Sequence, residues 1–192
     1  HRGEAQTFIK KLGLELVDEK LDLYENKTKN TALFISGEGE LQLSPRLPYI
    51  FAKYSISSVL NMGIAGALNE TVKINSIYEI RTCYATSAQE LKFNSFSTKS
   101  TDAKFDCITV DKRIKDQESA TQLSNFADIV DRELWYIANT CRVFKIPFLS
   151  YKYISDVANE QTDCFDLKLK AKEFSDSLFN FYLEMNKDID LA

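Results

Sequence analysis

Histidine is nearly missing from this 192-residue chain: there is one, at position 1. The four cysteines, Cys83, Cys107, Cys141 and Cys164, include no CxxC spacing. With so little histidine to join them they make a poor zinc site, and their spacing is not that of a disulfide framework. Buried free thiols in a reducing compartment are the favoured reading, so no metal is expected. Proline is scarce, at three residues, and glycine numbers six. No Pro/Gly/Ser-rich linker and no internal repeat divides the chain, so one domain over residues 1–192 is expected. No apolar run is long enough to span a bilayer, and no secretory pattern opens the chain. The expectation is a cytoplasmic protein with no membrane partner. Positive charge is not in excess either. The net charge of −4 gives no electrostatic reason to expect nucleic acid as a partner. A small-molecule substrate suits it better than a polyanion.

What the chain does have is apolar bulk. Hydrophobic residues make up 44% of it and aromatics 12%, carried by 13 Phe, 9 Tyr and one Trp. That is enough to fill a core rather than leave the chain disordered. Short continuous apolar runs at residues 31–36, 57–62, 74–81, 107–110 and 147–154 read as strands covered on both faces, as in parallel sheets. Residues 127–130 are also strand-like. Helical patterns lie between several of these runs, at residues 3–12, 45–54 and 132–144. In the last of these Leu134, Ile137, Ala138 and Cys141 fall on one face. A final helix carries Leu167, Phe174, Leu178, Phe181 and Met185 as a stripe, with Asp163 as its candidate cap. The alternation predicts an α/β fold, a three-layer α/β/α sandwich around a mainly parallel or mixed sheet. Such a domain ordinarily opens with a strand, so a first strand is expected ahead of His1. Residues 89–106 are polar with weak periodicity and read as a surface loop.

Three acidic residues stand by strand ends or helix starts: Glu4, Glu133 and Asp156. Ligands of open α/β sheets bind beyond the carboxyl ends of the strands, where such groups converge. Burial disfavours a carboxylate's charge, so a carboxyl leaving a buried strand, as Asp156 does, is a candidate proton donor. Glu133 at a helix start equally suits the helix dipole. Ser36-Gly-Glu-Gly39 follows a strand and reads either as a simple turn, which is favoured, or as backbone N–H groups offered to an anion.

The order of segments adds to this. Asn61-Met-Gly-Ile-Ala-Gly-Ala-Leu68, then Val72-Lys-Ile-Asn-Ser-Ile77, resembles the glycine signature of the purine nucleoside phosphorylase/nucleosidase superfamily. Asp131-Arg-Glu133 resembles its acidic motif at a helix start. Ile146-Pro-Phe148 and Ile154-Ser-Asp-Val-Ala158 resemble its closing motif. The pattern is most similar to methylthioadenosine/S-adenosylhomocysteine nucleosidase and futalosine hydrolase. The resemblance implies a homodimer, no cofactor, and cleavage of the N-glycosidic bond of a purine nucleoside by water. It implies that Asp156, steadied by Ser155, protonates the purine, and that Glu4 handles the attacking water. Glu133, with Asp131 and Arg132 of the same motif, is implied at the sugar. Ile64, Ala65 and Gly66 are implied at the substrate, with Arg113 and Ile114 at the base.

Four residues depart from the family pattern. Arg132 replaces a Met, Arg113 falls where an aromatic ring is usual, Ile64 replaces a small residue, and Lys152 stands where Arg is common. Two arginines beside a sugar that must become positive would raise the barrier. They are therefore expected to be turned away, paired with acids such as Asp131 or Asp111, or engaged by an anionic group on the substrate. At least one is expected to reach the substrate, with carboxylated nucleosides preferred. Two other readings stay open: a phosphorylase using inorganic phosphate, and a non-catalytic nucleoside-binding protein on a degenerate site.

Overall fold

The computed structural model describes residues 1–87, 90–95, 103–158 and 164–189. In chain order the first half holds α1 (Arg2–Leu12), β1 (Glu15–Asp18), β2 (Leu23–Asn26), β3 (Thr31–Phe34), α2 (Glu40–Leu43), α3 (Leu47–Lys53), β4 (Val59–Ala67) and β5 (Ile77–Ser87). The second half holds β6 (Glu90–Ser95), β7 (Phe105–Thr109), α4 (Gln117–Ser124), β8 (Ile129–Asp131), α5 (Leu134–Phe144), β9 (Phe148–Val157), α6 (Cys164–Leu169) and α7 (Ala171–Ile189). These gather into two compact units, one of residues 1–37 with 163–192 and one of residues 38–162.

In the first unit α1 packs on α7. Its first turn carries Glu4 and its last turn Lys10 and Lys11, which suits the helix dipole, and Gly13 closes it in the left-handed region at φ 62°. Phe8 meets Phe179 edge-on, with ring centroids 5.2 Å apart. The backbone N–H of Thr7 donates to Ser175 Oγ at 2.9 Å. β1, β2 and β3 form a separate antiparallel meander. Residues 31–36 were expected in a sheet covered on both faces, and the structure places them here instead. The reason lies in the turns: Asp22 and Asn30 take φ of 51° and 49° and fold the chain back after four residues, a conformation those side chains tolerate. Asp163, the expected cap of the last helix, lies outside the described residues.

The second unit is built on a mixed sheet in the order β6-β5-β7-β8-β4-β9. β5 also pairs with β9, from Ile77 opposite Tyr153 to Glu79 opposite Tyr151, so five of the strands close on themselves. β7 runs parallel to both β5 and β8, β4 parallel to β9, and β8 antiparallel to β4. Helices lie on both sides of this mixed central sheet, which is the expected α/β class. α5 buries Leu134, Ile137, Ala138 and Cys141, the face that the 3.6-residue period marks. On the side of α4, Leu68, Ile108, Val110, Ala120, Ala127, Val130 and Ala158 form one cluster.

Part of the stretch expected as a loop is a strand. β6 pairs antiparallel with β5 from Ser95 opposite Thr82 to Glu90 opposite Ser87. Its sequence, Glu-Leu-Lys-Phe-Asn-Ser, alternates with a period of two that the polar composition hides. Residues 89 and 96–102 of that stretch lie outside the described residues. Cys83 and Cys107 stand opposite each other on β5 and β7. Both are free and buried, as is Cys141, and burial pushes all three thiols up from their ordinary range, Cys141 to about 12. They remain protonated and unreactive at neutral pH. Among the described residues no helix is long and apolar enough to cross a membrane.

β4 shows why the glycine motif is needed. Its buried positions are Gly63, Ala65 and Ala67, so one face of the strand has almost no side-chain bulk. Lys152 of β9 stands opposite Gly63. It crosses β4 over those small residues and reaches β8 on the far side, with Nζ 2.7 Å from Asp131 Oδ2.

Gly3 in α1 has its own constraint. A Cβ there would come within 2.6 Å of Ala171 Cβ in α7. Gly3→Ala is expected to destabilise the protein by about 1–3 kcal/mol through overpacking, despite the better helix propensity of alanine. Adding Ala171→Gly to the same chain should restore most of the loss. Urea unfolding of the three variants measures it, and no rescue by the second change would mean that the helices do not meet there.

Candidate active site

Asp156 lies near the end of β9 and is largely buried, at 9% exposure. A shift in the β4–β9 register after Ala65 and Ile154 brings Asp156 opposite Gly66 and leaves Ser155 as the extra residue of a bulge. Ser155 Oγ donates to Asp156 Oδ1 at 2.6 Å and lies 3.3 Å from the carbonyl oxygen of Ala65. Arg113, in the segment between β7 and α4, donates from Nη2 to Asp156 Oδ2 at 2.7 Å. Both carboxylate oxygens of Asp156 are therefore accepting, one from a hydroxyl and one from a cation.

Asp131 ends β8. Its Oδ1 accepts from Thr109 Oγ1 at 2.6 Å, and its Oδ2 accepts from Lys152 Nζ at 2.7 Å and from the backbone N–H of Leu134 at 2.8 Å. Thr109 Oγ1 in turn accepts from the backbone N–H of Trp135 at 2.9 Å. Two unsatisfied donors at the start of α5 are thereby met from neighbouring strands. Burial pulls the Lys152 ammonium down, but the charge and hydrogen bond of Asp131 together with the nearby Cys107 and Glu133 outweigh it, and the net direction is upward. The lysine stays charged. Asp131, expected at the substrate, is instead sealed inside, with 1% of its side chain exposed. Its carboxylate receives the first N–H of the helix. The helix itself begins at Leu134, two residues after the expected start, because Glu133 is the non-helical cap residue.

The Glu133 side chain turns to the glycine turn ahead of α2. Its Oε1 accepts from the backbone N–H of Gly39 at 2.8 Å. The glycine turn does offer an N–H to an anion, and that anion is a carboxylate of the chain itself. Gly39 takes φ 76°, which a side chain would resist. Arg132 binds the same turn: Nη1 donates to Glu38 Oε2 at 2.9 Å and Nη2 to the carbonyl oxygen of Asp111 at 3.0 Å. The expected acidic partners, the carboxylates of Asp131 and Asp111, are replaced by Glu38 and Asp156. Asp111 uses its carboxylate to accept from the Tyr136 hydroxyl at 3.1 Å. Each guanidinium thus meets a carboxylate of the protein, so the expected demand for a carboxylated substrate has no uncompensated cation behind it.

Ile114 packs against the core cluster around Ile108 and Val130, away from a purely ligand-facing role. Ile64, Ala65 and Gly66 follow one another in β4, and a Cβ on Gly66 would press on Ala158 and Val130 at 3.3–3.5 Å. Glu4 sits in the first turn of α1 with its Oε1 3.3 Å from the amino group of His1. It belongs to the other unit. Among the described residues no group of three or more His, Cys, Asp or Glu is placed to hold a metal.

No family model and no curated protein matches the sequence. Solved structures do match. The chain superimposes on futalosine hydrolase of Helicobacter pylori strain 26695 with a TM-score of 0.81 at 18% identity, over 98% of this chain and 94% of that one. It superimposes on the 5′-methylthioadenosine/S-adenosylhomocysteine nucleosidase of Helicobacter pylori with a TM-score of 0.80 at 17% identity, over 98% and 95%. For a nucleosidase of that kind from Chlamydia trachomatis the TM-score is 0.75 at 18% identity, over 97% and 93%. The fold is that of the nucleosidases. Superposition over nearly the full length of both chains means that the nucleosidase fold holds here without large insertions, on a mostly different set of side chains. The superfamily that the motifs resemble and the fold agree.

Sequence reasoning gave Thr109 no role and noted Lys152 only as a departure from the family pattern. One signal pointed to the role of Lys152: a lysine inside a run as apolar as that of β9 needs a buried acid. Replacing it by Met leaves the Asp131 charge buried with its ion-pair partner gone. Lys152→Met is expected to cost about 3–5 kcal/mol, read as a lower urea midpoint with an unchanged slope. A loss below about 1 kcal/mol would show that the pair does not hold the sheet together.

Proposed function

We propose that the protein is a nucleosidase that cleaves the N-glycosidic bond of a purine nucleoside with water. The observation that carries the reading is the braced aspartate near the end of β9, Ser155 on one oxygen and Arg113 on the other, within a nucleosidase fold. In this reading Asp156 passes a proton to N7 of the purine. The C1′–N9 bond breaks with its electron pair going to the base, and the ribose gains oxocarbenium character. The oxygen of a water molecule then bonds to C1′ and releases a proton. Assignment of that water to Glu4 rests on the motif resemblance alone. Glu133 accepts from the ribose hydroxyls, exchanging or sharing the Gly39 N–H. Acid–base assistance of this kind contributes typically about 10²–10⁴-fold, and carboxylates near the developing cation add electrostatic stabilisation.

One observation favours the non-catalytic alternative. The oxygen of Asp156 that would carry the proton accepts from Arg113 instead. Purine release from methylthioadenosine, adenosylhomocysteine, futalosine and inosine, with and without phosphate, separates hydrolysis, phosphorolysis and simple binding.

Asp156→Asn is expected to fold and to lose about 10²–10⁴-fold in kcat, because an amide cannot protonate N7. Near wild-type turnover in that variant would remove Asp156 from the mechanism. Glu133→Gln keeps an oxygen for the Gly39 N–H but loses charge at the sugar. It should lower kcat/KM about tenfold or more for ribonucleosides and far less for their 2′-deoxy analogues. Equal losses on both would make Glu133 a residue of the turn alone.

A further inference from the structure

Two ion pairs of the second unit, Lys152–Asp131 and Arg113–Asp156, differ in kind. Lys152–Asp131 is sealed, with side-chain exposures of 2% and 1%. Arg113–Asp156 lies at an accessible edge, with 20% and 11%. Arg113 also comes from a segment between a strand and a helix rather than from the sheet itself. A ligand can therefore meet the second pair and cannot meet the first.

A guanidinium is a donor and never an acceptor. Beside Asp156 it changes which purine edge fits. N7 and the substituent at C6 lie side by side on the purine. A 6-oxopurine presents two acceptors there, and a 6-aminopurine presents an acceptor and a donor. Against a protonated Asp156 and Arg113, two donors, the 6-oxo edge satisfies both. The 6-amino edge sets its N–H groups against those of the guanidinium, and one donor is left unmet.

We propose that Arg113 makes this site selective for 6-oxopurine nucleosides over 6-amino ones. The inference rests on the nucleosidase reading, in which Asp156 faces N7. It adds the following event. The O6 of the substrate takes over the Arg113 Nη2–H that Asp156 Oδ2 holds in its absence. Oδ2 then has room for the proton, drawn from solvent, that goes to N7. When the C1′–N9 bond breaks, the electron pair enters the base and spreads in part to O6, where the guanidinium meets it. With a 6-amino base, Arg113 has no reason to leave Asp156, and the acid stays blocked. Arg113 is a specificity residue that touches the base, and it also gates the acid.

The test pairs substrates that differ only at C6. Initial rates of base release are measured for inosine and adenosine, and for the methylthio derivatives of both. Binding of free hypoxanthine and adenine is measured by calorimetry. Wild type, Arg113→Met and Arg113→Lys are compared. The 6-oxo member of each pair is expected to lead in kcat/KM by about ten- to a hundredfold, the worth of one hydrogen bond to a charged group. Arg113→Met should bring the ratio near one from both sides, by loss on inosine, whose O6 loses its donor, and by gain on adenosine, whose acid is no longer blocked. Arg113→Lys, which keeps a cationic donor on Asp156, should retain part of the preference even if the Met variant folds poorly. A wild type that prefers adenosine, or a ratio unchanged in both variants, would overturn the inference. Should no nucleoside release its base while hypoxanthine still binds ahead of adenine in an Arg113-dependent way, the hydrolase reading falls and the selectivity stands.

Discussion

A lysine ammonium with 2% of its side chain exposed cannot stay charged unless a full negative charge stands beside it. Lys152 and Asp131 meet that condition across an intervening strand, and much of the second unit follows from it. β4 must carry Gly63, Ala65 and Ala67 on the crossed face, since larger side chains would obstruct the lysine. Asp131 must sit where β8 ends, so that its second oxygen can also take the Leu134 N–H. Thr109 must present a hydroxyl between β7 and α5. One carboxylate thus ties together strands from three places in the chain and fixes where a helix begins.

That fixing point positions the residues of interest. Glu133 and Arg132 are the two residues between Asp131 and the first turn of α5, so their backbone is held from both sides. Asp156 lies four residues beyond Lys152 on the same strand, past the bulge at Ser155. Geometry at a site tightens when its supports are rigid, and here the supports are a buried ion pair and its hydrogen bonds. The pair need not add net stability over an apolar substitute. It specifies one register of β9 against β4, since a slip by one residue would turn the lysine out of the core.

The elements that sequence pattern revealed, among them β4, β5, β7, β9, and the buried face of α5, are those whose apolar residues form a continuous run or a clear helical stripe. Those it missed carry short or polar signals. β1 and β2 are four residues each, and β6 alternates under a mostly polar composition. The site residues named from motifs are present, but their roles divide in ways that types and order do not reveal. Asp131 and Glu133, two residues apart, face different partners because Asp131 is the last residue of the buried strand β8 while Glu133 lies beyond it, at the non-helical cap of α5. Arg113 was expected either at the substrate or paired with an acid such as Asp131 or Asp111, and the acid it meets is Asp156. Partner choice of this kind depends on contacts between segments far apart in sequence, 43 residues for Arg113 and Asp156 and 94 for Arg132 and Glu38, and no local pattern encodes them.

The placement of the two arginines bears on whether the chemistry is possible at all. In N-glycoside cleavage the sugar becomes positive while the base becomes negative, so a cation is harmful at one end and useful at the other. Arg132 is held by Glu38 and by the carbonyl oxygen of Asp111, which spends its charge on the glycine turn. Arg113 stands on the aspartate that the proposed reaction puts against the base. If both had projected freely toward the sugar, the fold would be a scaffold whose electrostatics oppose the reaction. With one neutralised and the other at the leaving-group end, the departures from the family pattern are compatible with catalysis. A fold shared at 17–18% identity does not by itself carry function. The case for an enzyme therefore turns on these two charges and the side on which each one lies.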